Sequence, residues 1–320
     1  MTRIRLFLVL VAALLFTSGA HAQVFSGCWN QGTSAIAFDT ASMDTGSEAT
    51  GSVTLGCQPQ GTAGFLRYCL YLPQGSPLTG IAPRRMNNAG SALLYDLYSD
   101  PARTSVIGPP PSGGGYPVYT NVVAVAASST QFAVNIPVYG RVLAGQNVPA
   151  GNYHSQLPGA SLAWAFAAGA PPADCMQGPD KGTISFYFDA SATISASCRI
   201  GLTTDMNFGS VPDLVAALQS TATITVRCPT GTPWSLGLNN GLFSQASTRR
   251  MRSPKGFVTY ELYRDAARSQ RWGASAPNAV TGVGQGINSP QASTVYGLVP
   301  AQGNPVAGTY TDVIVVTLTY

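Results

Sequence analysis

The sequence predicts an all-β protein: two Ig-like β-sandwich domains in tandem, the second of them one strand short and accepting a donor strand. Three observations carry that expectation. Gly (35 residues) and Pro (23 residues) punctuate short runs rich in Thr, Val, Tyr and Ile, the pattern of many short strands joined by turns. A set of motifs recurs in the same order in both halves of the chain. The final run, Tyr310 to Tyr320, has the alternation of a strand and no strand pattern after it.

Taken from the start, residues 1–22 read as a signal peptide. Arg3 and Arg5 form a basic head, Leu6 to Phe16 is unbroken apolar sequence, and Ala20-His21-Ala22 has the small-x-small form that is cut on export. The apolar run is short for a membrane span; an uncleaved anchor is the alternative. Export from the cytoplasm follows. Charged residues make up only 9% of the chain, against about 25% in ordinary proteins. Without Arg3 and Arg5 the net charge is about +2, which is no footprint for nucleic acid. Six cysteines in an oxidising compartment are read as disulfides. No C-x-x-C pair occurs and His154 is the one histidine after the leader, so no metal or other cofactor is expected.

The repeat divides residues 23–194 from residues 195–320. Cys28 and Cys57 are 29 apart, Cys198 and Cys228 30 apart. Phe38 follows its cysteine at the distance at which Phe208 follows its own. Arg84-Arg85-Met86 and Tyr95-Asp96-Leu97-Tyr98 recur, at a single offset, as Arg249-Arg250-Met251 and Tyr260-Glu261-Leu262-Tyr263. Asp100 to Gly108 parallels Asp265 to Gly273. Val138-Tyr139-Gly140 and Gly151-Asn152-Tyr153 recur as Val295-Tyr296-Gly297 and Gly308-Thr309-Tyr310. The pairs Cys28–Cys57 and Cys198–Cys228 would each staple the first two strands of a unit, at about 3 to 4 kcal/mol by loop length. Cys69 and Cys175 have no counterparts and are expected to pair, tying the third strand to a late loop.

Strands are expected in the first unit at Ala49–Cys57, Phe65–Leu72, Ser91–Tyr98, Tyr119–Ala126, Gln131–Tyr139 and Ser161–Ala167. In the second they are expected at Thr221–Cys228, Trp234–Leu238, Val258–Tyr263, Ala292–Leu298 and Tyr310–Tyr320. In the last of these Ile314, Val316, Leu318 and Tyr320 share one face. An apolar strand edge left open invites pairing with another chain. The first unit instead continues into Thr183–Ile194. There Ile184, Phe186, Phe188 and Ala190, with Ala192 and Ile194, line one face of a strand about 40 Å long. That segment is expected to complete the first domain from within; a strand that begins the second domain is the alternative.

These residues resemble the spore coat U domain family, found in subunits of archaic chaperone–usher pili. The carrying motifs are the cysteine pair, Asn207-Phe208-Gly209, Arg249-Arg250-Met251, Tyr260-Glu261-Leu262-Tyr263 with Trp272-Gly273, Val295-Tyr296-Gly297, and the ending from Val306 to Tyr320. The first unit departs from the pattern with Ala37-Phe38-Asp39 and with Val106-Ile107 in place of Arg271-Trp272. The resemblance implies fibre assembly by β-strand addition. A periplasmic pilus chaperone lends the missing strand, and an adjacent pilin subunit supplies its replacement at an outer-membrane usher. Only Gln23 to Gly27 precede Cys28 in the expected mature chain, so it would receive a strand but not give one, as a tip adhesin would. The role implied is attachment to an abiotic or host surface and biofilm formation. A spore or cell-coat structural protein, or a capping subunit without a ligand, is the alternative.

For a tip subunit, contact with the target falls on loops at the free end of the first domain. Three qualify: Gln58–Gly64, Gly108–Tyr119 with Pro109, Pro110, Pro111, Tyr116 and Tyr119, and Gly169–Lys181 with Pro171, Pro172 and Met176. Stiff, weakly charged loops lose little entropy on contact. No catalytic residues are expected. A triad would have to centre on His154, read as a solvated turn residue, and Gly282–Gly286 lies in a β context, unlike a phosphate loop.

Overall fold

The computed structural model describes residues 25–38, 45–75, 82–111 and 113–320; the expected signal peptide, residues 1–22, and Asp39 lie outside them. Almost every run with period-two alternation forms a strand. In the first domain these are β1 (Phe25–Ser34), β2 (Ile36–Phe38), β3 (Ser47–Pro59), β4 (Gly64–Tyr71), β5 (Arg84–Asn88), β6 (Ser91–Tyr98), β7 (Tyr119–Val125), β8 (Phe132–Val142), β9 (Gly151–Ala167) and β10 (Asp180–Ile194). One layer runs β1-β3-β8-β6-β5. The other runs β7-β4-β9-β10-β2, the two being joined in one hydrogen-bonded path where Asn87 meets His154. Side chains of one parity from each layer fill the space between them: Val53, Leu55, Leu66, Leu70, Tyr95, Leu97, Ile136, Val138 and Leu162 are fully buried.

The second domain repeats the scheme with β11 (Arg199–Thr203), β12 (Leu218–Arg227), β13 (Pro233–Leu238), β14 (Arg249–Ser253), β15 (Gly256–Tyr263), β16 (Val280–Val283), β17 (Gln291–Val299) and β18 (Val316–Thr319). Its layers run β11-β12-β17-β15-β14 and β16-β13-β18. The cysteines form Cys28–Cys57, Cys69–Cys175 and Cys198–Cys228. Cys28 stands directly opposite Cys57 in the β1–β3 ladder. Cys69 of β4 holds Cys175 of the segment between β9 and β10.

The recurring motifs are structural. Arg84 and Arg249 are fully buried, which requires every donor to be matched. Arg84 pairs with Asp96 and donates to the carbonyls of Pro73 (2.9 Å), Leu72 (2.7 Å) and Ile107 (2.6 Å). Arg249 pairs with Glu261 and donates to those of Asn239 (2.6 Å), Trp272 (2.8 Å) and Leu238 (3.2 Å). In each unit one planar fork fastens the chain leaving β4 or β13 to the next hairpin. Desolvation pulls the Arg249 guanidinium below its usual range, and Glu261 opposes that. Gly140 and Gly297 have an equally specific reason. A Cβ there would lie 2.7 Å from the Phe38 ring or 2.1 Å from the Met206 sulfur.

Most strand bounds shift by one to three residues from the sequence reading, and two starts shift by six or more. β9 begins at Gly151, ten residues before Ser161, so His154 lies in a strand and not in a turn; it sits 3.7 Å from Asp189 of β10. The expected strand Tyr310–Tyr320 forms a ladder only over Val316–Thr319. Upstream of it the pairing is piecemeal: Thr311 bridges Arg252 of β14, and Asn239 holds Val315 through its backbone N–H (3.1 Å) and its side-chain oxygen, which accepts from Val315 N (2.9 Å). The reason is the neighbour. β9 has β10 along its whole length, whereas among the described residues β18 has no strand on its outer edge.

Candidate functional site

The two domains present the same place in two states. In the first, β10 lies antiparallel to β9 from Asp180↔Phe166 to Ile194↔Gly151, with one irregularity at Phe186/Tyr187, and it meets β2 in parallel at Ala190↔Ile36. Phe186, Phe188, Ala190, Ala192 and Ile194 are buried, and Ile184 is half-buried against the same core. The alternation that made this segment conspicuous points one face of it into the sandwich.

The ladders match residues across the domains. Leu70 stands opposite Leu162 as Leu236 stands opposite Leu318. Tyr153 and Tyr310 each donate a hydroxyl hydrogen bond to the carbonyl four residues upstream, Pro149 (2.8 Å) and Val306 (2.7 Å). Where the first domain has Ile36, Phe38, Met86, Leu157 and Leu162 fully buried, the second has Met206, Phe208, Met251, Ile314 and Leu318 only half-buried. Between them lies a cavity of about 420 Å³, lined by Met206, Phe208, Ile224, Tyr260, Val295 and Ile314 among others. Val316 borders it too, while Tyr320, past the end of β18, is 57% exposed.

One end of this groove is polar. Tyr260 donates to Asp312 Oδ2 (2.7 Å), and Asp312 Oδ1 accepts the backbone N–H of Leu242 (2.9 Å). Burial, followed by this contact with a carboxylate, pushes the Tyr260 hydroxyl well above its ordinary value. In the first domain burial likewise pushes Tyr95 up to about 12, and Ser155 stands where Asp312 does, opposite Ala190. The chemistry on offer is a row of apolar sockets and a strand edge that no strand among the described residues pairs, which suits an extended peptide.

The three loops do not share one end. Chain direction places the second domain at the Ile194 end of β10. Gln58–Gly64 lies at the opposite end, where Phe65 meets Ala167. Gly108–Tyr119 joins the other end of β4: Gly108 O accepts from Leu72 N, and Tyr119 pairs with Leu70, roughly 20 Å from Gly64 at the rise of a strand. The segment between β9 and β10 starts at the far end but folds back over the outer face of β4. There Cys175 is held by Cys69 and the Pro172 carbonyl accepts from Arg67 Nε (2.6 Å).

Individual residues change accordingly. Tyr119 is a strand residue, not a loop residue. Its hydroxyl donates to Pro137 O (3.0 Å) and its ring packs on the core, so burial raises it to about 12. Pro172 is buried within this fold-back segment, the strap. Pro111, Pro171 and Met176 are exposed, and Pro109, Pro110 and Tyr116 half-exposed. The fold-back left no trace in the sequence, because a disulfide partner without a repeat counterpart fixes a pairing but not a path.

Comparison with known proteins agrees with this architecture. A sequence model described as the Spore Coat Protein U domain matches residues 14–158 and again residues 184–317. Protein U of Myxococcus xanthus is 28% identical over 158 residues, covering 44% of this chain and 87% of that protein. A chain in the crystal structure of the chaperone–tip adhesion subunit pre-assembly complex, from archaic chaperone–usher Csu pili of Acinetobacter baumannii, overlays with a TM-score of 0.53. The identity is 18%, over 92% of this chain and 100% of that one. The CupB6 tip adhesin from Pseudomonas aeruginosa overlays more loosely, with a TM-score of 0.37 at 13% identity over 92% and 93% of the two chains.

Proposed function

The chain belongs to the Spore Coat Protein U domain family, and from that premise we propose that it is an exported subunit of a chaperone–usher surface fibre, completed by a strand from a neighbouring molecule. The observation that carries the reading is the contrast between a filled and an unfilled copy of one groove in a single chain. The second family match begins at residue 184, inside β10. By sequence this strand is the head of the second unit; by hydrogen bonding it belongs to the first. That is strand addition written within one polypeptide, and it supports the same transaction between molecules at Ile314, Val316 and Leu318.

In this reading a periplasmic chaperone covers the groove until an adjacent subunit supplies the lasting strand at an outer-membrane usher. The first domain, already closed, is free to serve as a tip adhesin for an abiotic or host surface, and so to support biofilm growth. Its contact surface is the exposed part of the strap around Pro171 and Met176 together with Pro111 and Tyr116, and not Tyr119.

The test is to purify residues 23–320 with and without a candidate periplasmic chaperone. A one-to-one complex is expected, lost in the Ile314→Arg/Val316→Arg variant while the first domain melts unchanged. A monomer that is stable alone and takes no partner would end the proposal. It would favour a coat structural protein without a specific ligand, the second reading that the family description itself supports. For the adhesive surface, Met176→Ser with Tyr116→Ser should weaken attachment at normal assembly; unchanged attachment moves the contact elsewhere.

A further inference from the structure

One turn serves neither the groove nor the strap. Gly284-Gln285-Gly286-Ile287-Asn288-Ser289 links β16 to β17, and its base is bolted to the second domain. Gly284 N donates to Thr232 O (2.8 Å), Gly286 N to Cys228 O (3.1 Å), and Arg227 Nη1 to Ile287 O (3.3 Å). Its apex points the other way. Ile287 is 6% exposed and packs in the apolar cluster of the first domain, not in that of the second.

The contacts around it reach across from both sides. Asn288 N donates to Asn147 Oδ1 (3.1 Å), and Asn288 Nδ2 to Gly145 O (2.8 Å). Pro149 and Thr230 form a parallel bridge. Gly286 has a φ of +111°, and a Cβ there would lie 2.4 Å from Asn147 Cγ, so only glycine lets the turn approach so closely. The receiving turn is itself anchored. Gln146 accepts from Leu94 N (2.6 Å) and donates to Leu94 O (2.8 Å), and Pro149 O is held by Tyr153. By contrast, the covalent linker Ser195-Ala196-Ser197 is exposed throughout.

We infer that the 284–289 turn is a plug that locks the two domains into one rigid body, making the 195–197 linker a joint that does not swing. One buried aliphatic anchor flanked by backbone-directed amide bonds between two braced turns fixes an orientation, not merely a proximity. Load applied at the second domain then reaches the first through the plug as well as through β10.

The experiment uses residues 23–320 in solution, by small-angle scattering and by timed digestion with an elastase that cuts small-residue linkers. The wild type should scatter as a single orientation and resist cleavage. Ile287→Asp should lengthen the maximum dimension and speed cleavage at 195–197 about tenfold or more. Asn147→Ala/Asn288→Ala, which leaves both cores untouched, should do so about fivefold. Circular dichroism checks that each variant is folded, and if Ile287→Asp is not, the asparagine pair decides alone. Wild-type scattering that requires a spread of orientations, or an asparagine variant indistinguishable from wild type in both measurements, would overturn the inference. Neither result depends on a chaperone, an usher or a ligand.

Discussion

Replacing Phe188 with alanine tests the account of β10 directly. The ring is fully buried, on the strand that lies between β9 and β2, and stands opposite Leu157. Truncation removes the ring's transfer free energy and leaves a cavity in a layer that cannot collapse freely, a cost of about 3–5 kcal/mol. For a domain of this size that corresponds to a fall in melting temperature of roughly 6–20 °C. Tyr187, next along the strand, is 62% exposed on the outer face, and its alanine variant should stay within about 0.5 kcal/mol of wild type. Hydrogen exchange followed on peptides from β9 reads this locally, because the backbone of β9 is protected by β10. The Phe188 variant should lower the opening free energy there and leave β12 and β17 unchanged. If the Phe188 and Tyr187 variants cost the same, or if Phe188→Ala costs less than about 1 kcal/mol, β10 is not a structural part of the first sandwich and the contrast between the domains loses its meaning.

Three further outcomes follow from the same geometry. Arg249→Met leaves the carbonyls of Leu238, Asn239 and Trp272 without their donor, while Glu261 keeps Arg271, and should cost about 1–3 kcal/mol by urea midpoint; Arg249→Lys should also destabilise, since a point charge cannot match the planar fork, and a neutral result would remove its fastening role. Gly140→Ala should cost about 1–3 kcal/mol because Phe38 and Ile36 are fully buried and cannot give way. Gly297→Ala should cost less, because flexible, half-buried Met206 can move aside; the reverse order in thermal melts would contradict the open groove. Asp180 and Asp265 should give opposite pH profiles. Burial raises the Asp180 carboxyl above its usual 3.8, so ionisation opposes folding: its contribution is best below that value and worsens as pH rises through the shifted one. Asp180→Asn should therefore melt higher than wild type at pH 7 and lose that advantage in acid. At Asp265 desolvation is outweighed by N–H donors from Gln270 and Ser269, and its carboxyl is held low. It contributes above 3.8 and loses that contribution as pH falls through its shifted value, so Asp265→Asn should melt lower than wild type at pH 7; matching profiles for the two variants would be the failure.

The all-β class was legible because strands announce themselves by parity and turns by glycine and proline. β6 ran from Ser91 to Tyr98 in both readings, and β13 missed by a single residue. The ends of strands were less legible, since a ladder stops where its partner stops, and partners are tertiary. β9 gained residues at its front because β10 reached them, and the segment from Tyr310 kept only isolated bonds, such as the bridge of Thr311 to Arg252, because among the described residues no strand lies along its outer side. β2, β5 and β14 were too short to show a period. The loop cluster failed for a related reason: order along the chain says which strands a loop joins, but not which end of the sheet it leaves from. A pairing of Tyr119 with Leu70, six residues from Gly64, cannot be read from composition.

The two states of one groove also bear on the proposal that the second domain takes a strand from a neighbour. In the first domain the residues facing β10 are withdrawn from water almost completely, whereas their counterparts Met206, Phe208, Met251, Ile314 and Leu318 remain half-exposed. Covering apolar surface yields about 25 cal/mol per Å², and an inserted strand adds a ladder of backbone bonds along the outer edge of β18, which has no strand beside it among the described residues. The gain is therefore concentrated on one edge of one domain, in a shape that accepts only an extended chain with apolar residues at every second position. β10 satisfies that requirement with phenylalanines opposite Ala160 and Leu157 and alanines opposite Ser155 and Tyr153. Val316 is larger than Ala160, so the strand that enters the second groove should carry a smaller residue than Phe186 at that place. A bound strand with phenylalanine opposite Val316 and no displacement of Met251 or Leu238 would show that the first domain is not a template for the second.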